Sequence, residues 1–248
     1  MLRRAADWID IQWSLLERSL KAVAPRARGR LLDVGCGDKP YEAWFRDHVD
    51  AYIGIEHAET FAATAAGHRS RADVVYGGGR LPFRDGAFDT VLSVQVLEHT
   101  PRPAPLVAEM ARVLAPDGLL ILTAPFQFRL HEQPHDYFRY SPHGLRQLCD
   151  DAGLEIVETL QQGSLWSVVG HKLSTYLAFR VARVGGLVQQ MGKLGHEAPA
   201  AAPPRWWTFP VVGPAIVGFS VASRVLDRAL PDPEESLGFL VVARHKRR

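Results

Sequence analysis

The sequence predicts an α/β fold built on a doubly wound, largely parallel sheet. Three observations predict it. Short runs rich in Val, Ile and Leu recur along the chain, as in "RLLDVG", "AYIGIE", "DVVY", "FDTVLSV" and "GLLILTA". Such runs suit strands covered on both faces. Helical patterns alternate with them, which is the signature of crossover units. The first run ends in a glycine turn, "DVGCG", where sheets of this kind bind ligands.

The elements follow in order. Residues 8–23 place Trp8, Leu15, Leu16, Leu20 and Val23 at helical spacing and read as an amphipathic leading helix. Strands and helices then alternate to residue 125. The clearest helix there covers 105–114, with Leu106, Val107, Met110, Val113 and Leu114 on one stripe. "APDG" at 115–118 is expected to end it. A further helix fits 141–152, with Ser141 as N-cap and Pro142 at the first helical position. "LEIVETL" at 154–160 and "LGFLVVARH" at 237–245 read as strands.

Composition narrows the functional classes. The 248 residues are long enough for one large domain or two small ones, and 47% are hydrophobic, so a core can form. Lys plus Arg number 29 against 27 Asp plus Glu, a net charge of +2, which argues against nucleic-acid binding as the main task. The basic tail "RHKRR" is the local exception. Two cysteines, Cys36 and Cys149, make no disulfide framework and suit a reducing, cytoplasmic setting. Asp7 and Asp10 interrupt the N-terminal apolar pattern, so it does not read as a signal peptide.

"LLDVGCGDKPY" at 31–41 reads as strand, glycine turn and helix. Gly35 and Gly37 let a ligand approach the backbone, and Asp33 places a carboxylate suited to a cationic amine. Glu56 ends the second strand, where an acidic side chain accepts two hydrogen bonds from ribose hydroxyls. A dinucleotide fingerprint needs a third glycine where this chain has Pro40, which weakens NAD(P) and an oxidoreductase.

"LLDVGCG", "GIEH", "LPFRDGAFDTVLSVQVLEH" and "ARVLAPDGLLIL" occur in that order at compact spacing. Together they resemble the class I S-adenosylmethionine-dependent methyltransferases, in the branch of ubiquinone and menaquinone methyltransferase-like proteins. The resemblance covers about residues 28–160 and the closing strand. It implies a Rossmann-like sheet of seven strands, the last antiparallel. The implied cofactor is S-adenosyl-L-methionine, held by Asp33, Gly35, Cys36, Gly37 and Glu56, with Gly78 and Leu81 near the adenine and Val94 near the methionyl end. Where the family often carries an acidic residue beside the adenine amine, this chain has Gly77.

"QVLEH" at 95–99 resembles a metal-binding Glu-x-x-Glu-His of some quinone O-methyltransferases, but Gln95 stands in the first place and contributes no charge. No metal is therefore expected. "HEQPHDYFRY" at 131–140 matches a subgroup pattern through His131, Pro134, Asp136, Phe138, Arg139 and Tyr140. Pro134 opposes a helix that could pair His131 with His135 on a metal. Two compatible readings stand. In one, His131, His135 or Asp136 is a general base over the acceptor. In the other, Asp136 pairs with Arg139 while Tyr137, Arg139 and Tyr140 shape a lid on the substrate side.

The domain expectation is a leading helix (1–27), a core (28–163 with 236–248) and a helical insertion (164–235) before the last strand. The insertion holds an apolar stripe at 165–184, the linker "APAAAPP" and an apolar segment at 205–230. Its uncharged stretch at 209–223 is shorter than the ~18 residues a spanning helix needs, and rich in Gly and Pro. Trp206 and Trp207 beside Arg205 suit a membrane interface. The insertion reads as an apolar lid over a lipid-like or polyketide-like acceptor, as a surface that docks on a membrane, or as a helical pair packed on the sheet or on a second subunit. The expected partner is a small or lipid-linked acceptor, with peripheral membrane contact through 164–235 and a homodimer as further expectations. O-methylation is favoured. A catalytically inactive, methyltransferase-like scaffold is the non-enzyme alternative.

Overall fold

The computed structural model describes residues 10–62, 70–184 and 203–247. Trp8, most of the 198–204 linker and Arg248 lie outside them. The elements are α1 (Ile11–Val23), β1 (Arg30–Val34), α2 (Glu42–Phe45), β2 (Ala51–His57), α3 (Ala58–Ala62), β3 (Val74–Tyr76), β4 (Phe88–Val94), α4 (Pro103–Val113), β5 (Leu114–Pro125), α5 (Pro142–Asp151), β6 (Leu154–Gln162), α6 (Leu165–Tyr176), α7 (Phe209–Ala229) and β7 (Gly238–His245).

The seven strands form one mixed sheet in the order β3-β2-β1-β4-β5-β7-β6. The pairs β1–β2, β1–β4, β2–β3 and β4–β5 are parallel. β7 runs against its neighbours. Its two ends meet opposite ends of β6, through Leu237 N–H to the Gln162 carbonyl and Lys246 N–H to the Gly153 carbonyl. The strand order reverses between β1 and β4. That switch point leaves a crevice at the carboxyl ends of β1, β2 and β4. Central strands are buried on both faces, so Leu31, Leu32, Val91, Leu92, Leu120 and Ile121 have no exposure.

The Ser141 hydroxyl caps α5 by accepting from Gly144 N–H at 3.2 Å, as the sequence predicts. Two expectations are corrected. "APDG" is not a separate turn: β5 already begins at Leu114, and the β4–β5 register shifts between Phe88 and Thr90 to accommodate it. The insertion also holds a longer helix than its Gly and Pro content suggests. Trp206–Ala229 is helical over 24 residues, long and apolar enough by length and composition to cross a membrane. Pro214 lies within it at an exposed position.

The chain divides into two compact units. The first comprises 1–18, 126–136 and 161–238; the second comprises 19–125, 137–160 and 239–248 and holds most of the sheet. Within the first unit, Ile11, Val168 and Leu237 form a small core with Leu15 packed on it. Asp227 near the end of α7 takes the Ser164 and Ser167 N–H groups at 3.3 and 3.1 Å and both serine hydroxyls. A carboxylate from a distant helix thus caps the start of α6, where the helix dipole favours negative charge.

Candidate active site

The glycine turn after β1 is set by alternation. Gly35, Gly37 and Lys39 all have positive φ, at 75°, 49° and 58°. The turn is pinned by Gly35 and Cys36 N–H groups on the Ile55 carbonyl and by Lys39 N–H on the Cys36 carbonyl. The two glycines differ in purpose. A Cβ on Gly35 would lie 2.5 Å from Val96 Cγ2, so Gly35 is needed for packing. A Cβ on Gly37 would meet nothing within 4 Å, so this glycine faces open space.

Three acidic groups converge near the turn. Glu56, 6% exposed, accepts from Gly37 N–H and His57 N–H, one on each carboxylate oxygen, both at 3.0 Å. Asp33, 1% exposed, accepts from the Tyr52 hydroxyl at 2.5 Å. Burial raises its pKa to about 7; Tyr52 acts against that shift, and the nearby Glu56 adds to it. Asp73 accepts from Lys39 Nζ at 2.5 Å and from Gly54 N–H at 2.7 Å, which secures the turn from below. Gly54 leaves room for it: a Cβ there would lie 2.6 Å from both Cys36 Sγ and Lys39 Cε.

Cys36 is buried, and burial with the nearby Asp33 pushes its thiol ionisation upward, so its side chain packs and is no nucleophile. Val94, 6% exposed, ends β4 beside the switch point. Gly78 has φ +90°, and its flanking Gly77 and Gly79 face open space. Leu81 is 1% exposed; its N–H goes to Glu109 at 2.8 Å and its carbonyl accepts from Arg112 at 3.0 Å. Its backbone is thus engaged within the protein.

The 131–140 segment is not helical, in keeping with Pro134. Its residues divide between the units. His131, His135 and Asp136 belong to the first unit; Tyr137, Arg139 and Tyr140 belong to the second, with the cofactor residues. The structure pairs His131 with Asp136: Nδ1 lies 3.3 Å from Asp136 Oδ2, which also accepts from His131 N–H at 2.9 Å. The Asp136 side chain is 1% exposed and that of His131 14%. His135 is exposed, with its N–H on the Glu132 carbonyl. Tyr137 and Phe138 N–H groups both go to the Glu98 carbonyl, while their rings are 43% and 38% exposed. The Arg139 guanidinium donates to the Phe138 carbonyl at 2.7 Å. Tyr140 is buried and its hydroxyl donates to the Leu97 carbonyl at 3.1 Å, which anchors the segment.

Tyr52, Gly54, Lys39 and Asp73 were not singled out by sequence reasoning. A cue existed for two of them: Tyr52 and Gly54 share a strand face with Glu56 by period two. A cavity of about 490 Å³ bordered by Arg28, Asp117, Arg244 and Arg247 lies at the opposite ends of the strands and is not part of this site.

Residues 32–122 match the family model described as "Methyltransferase domain". A Mycolicibacterium smegmatis protein described as "Probable S-adenosylmethionine-dependent methyltransferase" is 30% identical over 146 residues, 56% of this chain and 57% of that protein. An "Uncharacterized methyltransferase" of Mycobacterium leprae is 42% identical over 106 residues, 40% of this chain and 38% of that protein. The chain therefore spans from 38% to 57% of the length of these relatives. Among solved structures, a methyltransferase in complex with the Haloferax volcanii Trm112 methyltransferase activator superposes with a TM-score of 0.55 at 19% identity, covering 98% of this chain and 94% of that one. The [4+2]-cyclase SpnF superposes at 0.53 and 20% identity, covering 93% and 81%. Likeness at this level concerns the fold alone, and function must be argued from the site.

Proposed function

We infer that this chain is a class I S-adenosylmethionine-dependent methyltransferase and that it transfers a methyl group to a small or lipid-like metabolite, with an acceptor hydroxyl favoured. One arrangement carries the reading: Asp33, Gly37 and Glu56 meet at the switch point of the sheet, and a glycine there faces open space.

S-adenosyl-L-methionine fits the residues present. Glu56 uses one lone pair on each carboxylate oxygen for a backbone N–H, and its remaining lone pairs suit a ribose diol. Asp33 is a buried carboxyl suited to the methionyl ammonium, and Gly37 leaves the backbone approachable. The open glycines around Gly78 suit the flat adenine. When bound, the cofactor supplies a methyl group already activated by a sulfonium, so the protein needs no covalent intermediate. Its own task is to align the acceptor, which is worth several kcal/mol in general.

His131 is the proposed general base. With Nδ1 3.3 Å from both the Arg129 carbonyl and Asp136 Oδ2, an Nδ1–H tautomer leaves Nε2 to take the proton of an acceptor hydroxyl. Asp136, nearly inaccessible, fixes the ring and steadies the imidazolium, as an orienting carboxylate does for a base.

Calorimetry with S-adenosylmethionine tests the reading. Binding in the micromolar range is expected, and NADH should not compete. No heat at high micromolar cofactor would favour the inactive scaffold instead.

A further inference from the structure

The helices α6 and α7 turn most of their larger aliphatic side chains outward and bury a seam rich in serine and glycine. A surface helix normally turns its apolar stripe to the core and its polar face outward. In α7 the buried positions are Val212, Ser220 and Ser223. The exposed large apolar side chains are Val211 (74%), Val217 (38%), Val221 (42%) and Val225 (55%), with Arg228 exposed at the far end. In α6 the buried positions are Ser167, Val168, Gly170, His171 and Ser174, while Val169, Lys172, Leu173 and Tyr176 are outside.

The interior between these helices is small and polar. A Cβ on Gly170 would come within 1.9 Å of Ser223 Oγ, so the two backbones approach closely there. Ser164 and Ser167 bond to Asp227. Small residues at the contact, hydrogen bonds inside and aliphatic side chains outside describe helices packed in lipid, where burying apolar surface between helices gains little.

The ends of α7 fit the same solvent. Residues 206–223 carry no charge. Arg205 precedes them, next to Trp206 and Trp207, which are 60% and 78% exposed. Arg228, which is exposed, follows. Tryptophan and basic residues at the edges of an apolar segment are what a headgroup region selects. A second copy of this chain could also cover the valine stripe. An interface between soluble copies does not call for a serine and glycine seam beneath it.

We propose that α6 and α7 hold this chain on a phospholipid bilayer, with Val211, Val217 and Val221 in the apolar region and Trp206 and Trp207 at its edge. The test is flotation of the full chain with vesicles of phosphatidylethanolamine and phosphatidylglycerol. The wild type should rise with the vesicles. Val217→Asp with Val221→Asp should cut the floated fraction by at least about tenfold, because two carboxylates then enter hydrocarbon. Both sites are solvent-accessible, so the variant should keep its circular dichroism and its S-adenosylmethionine affinity. That affinity also separates failure here from failure of the methyltransferase reading. A wild type that stays at the bottom of the gradient overturns the proposal. So does a variant that floats equally well. So does a wild-type dimer in vesicle-free buffer that the double variant splits, if neither protein floats.

Discussion

The Tyr52 hydroxyl donates to Asp33 Oδ2 at 2.5 Å, bridging two neighbouring parallel strands at the mouth of the site. Burial lifts the Asp33 pKa from 3.8 to about 7. The folded state therefore holds a proton that the unfolded chain has released at intermediate pH. Stability conferred by that protonated form is full below the unfolded value and falls as pH rises from about 4 to about 7. The loss is at most on the order of 4 kcal/mol. Asp33→Asn removes it while its amide oxygen still accepts from Tyr52. The variant should melt above the ligand-free wild type at pH 8 and close to it at pH 4, and should lose stabilisation by S-adenosylmethionine. Thermal melts across pH with and without cofactor check both parts.

Tyr52→Phe tests the same pair from the other side. The Tyr52 hydrogen bond holds the Asp33 pKa down, so its loss should raise that pKa further. If ionised Asp33 receives the methionyl ammonium, cofactor affinity should then need a higher pH. Calorimetric Kd values across pH should show the binding profile displaced toward alkaline pH, with the high-pH plateau nearly kept. An unmoved profile would separate Asp33 from the ammonium.

The two open questions about glycine have opposite signatures. Gly54→Ala places a methyl 2.6 Å from Cys36 Sγ and Lys39 Cε and should cost about 1–3 kcal/mol of stability through overpacking. Gly37→Ala meets no protein atom, so its cost to the fold is the ~1–2 kcal/mol of a left-handed residue. Its larger effect should be on cofactor Kd, weakened by about tenfold or more, about the cost of one blocked contact. Chemical denaturation and calorimetry on both variants separate the two.

Strand and helix placement was legible because burial on both faces writes continuous Val, Ile and Leu runs, and because Ser141 and Pro142 announce a helix start. The glycine turn itself was legible because Gly35 and Gly37 both take positive φ right after β1. Tyr52 and Asp73 were not. Their roles depend on β1–β2 register, which sets Asp33 opposite Gly54, and on Lys39 reaching Asp73 across 34 positions. Asp227 as the cap of α6 depends on a contact across more than 60 positions. The length of α7 was hidden by Gly213, Pro214 and Gly218, which read as breakers although the helix continues through them.

Asp227 offers a stability test remote from the chemistry. Four groups of Ser164 and Ser167 converge on it. Asp227→Ala should cost roughly 1–2 kcal/mol, the usual price of a lost cap. Asp227→Asn should restore part of it, since an amide oxygen still accepts. Melting temperature reads both, and S-adenosylmethionine affinity should stay unchanged.

The pair His131–Asp136 decides whether the 131–140 segment is chemical or only structural. If His131 Nε2 takes the acceptor proton, His131→Ala should lower kcat by about 10²–10⁴-fold, the range for a lost general base. Asp136→Asn should lower it by less, since the ring remains but its orienting carboxylate does not. His135 is exposed and bonds through its backbone N–H, so His135→Ala should act near wild-type rate. Cofactor Kd should hold in all three. The rates come from transfer of a radiolabelled methyl group to the first acceptor found in a screen of hydroxylated and lipid-linked metabolites. Equal rates in all three variants would remove the base assignment. An acceptor with no proton to lose, methylated at wild-type rate by His131→Ala, would leave the dyad with orientation as its task.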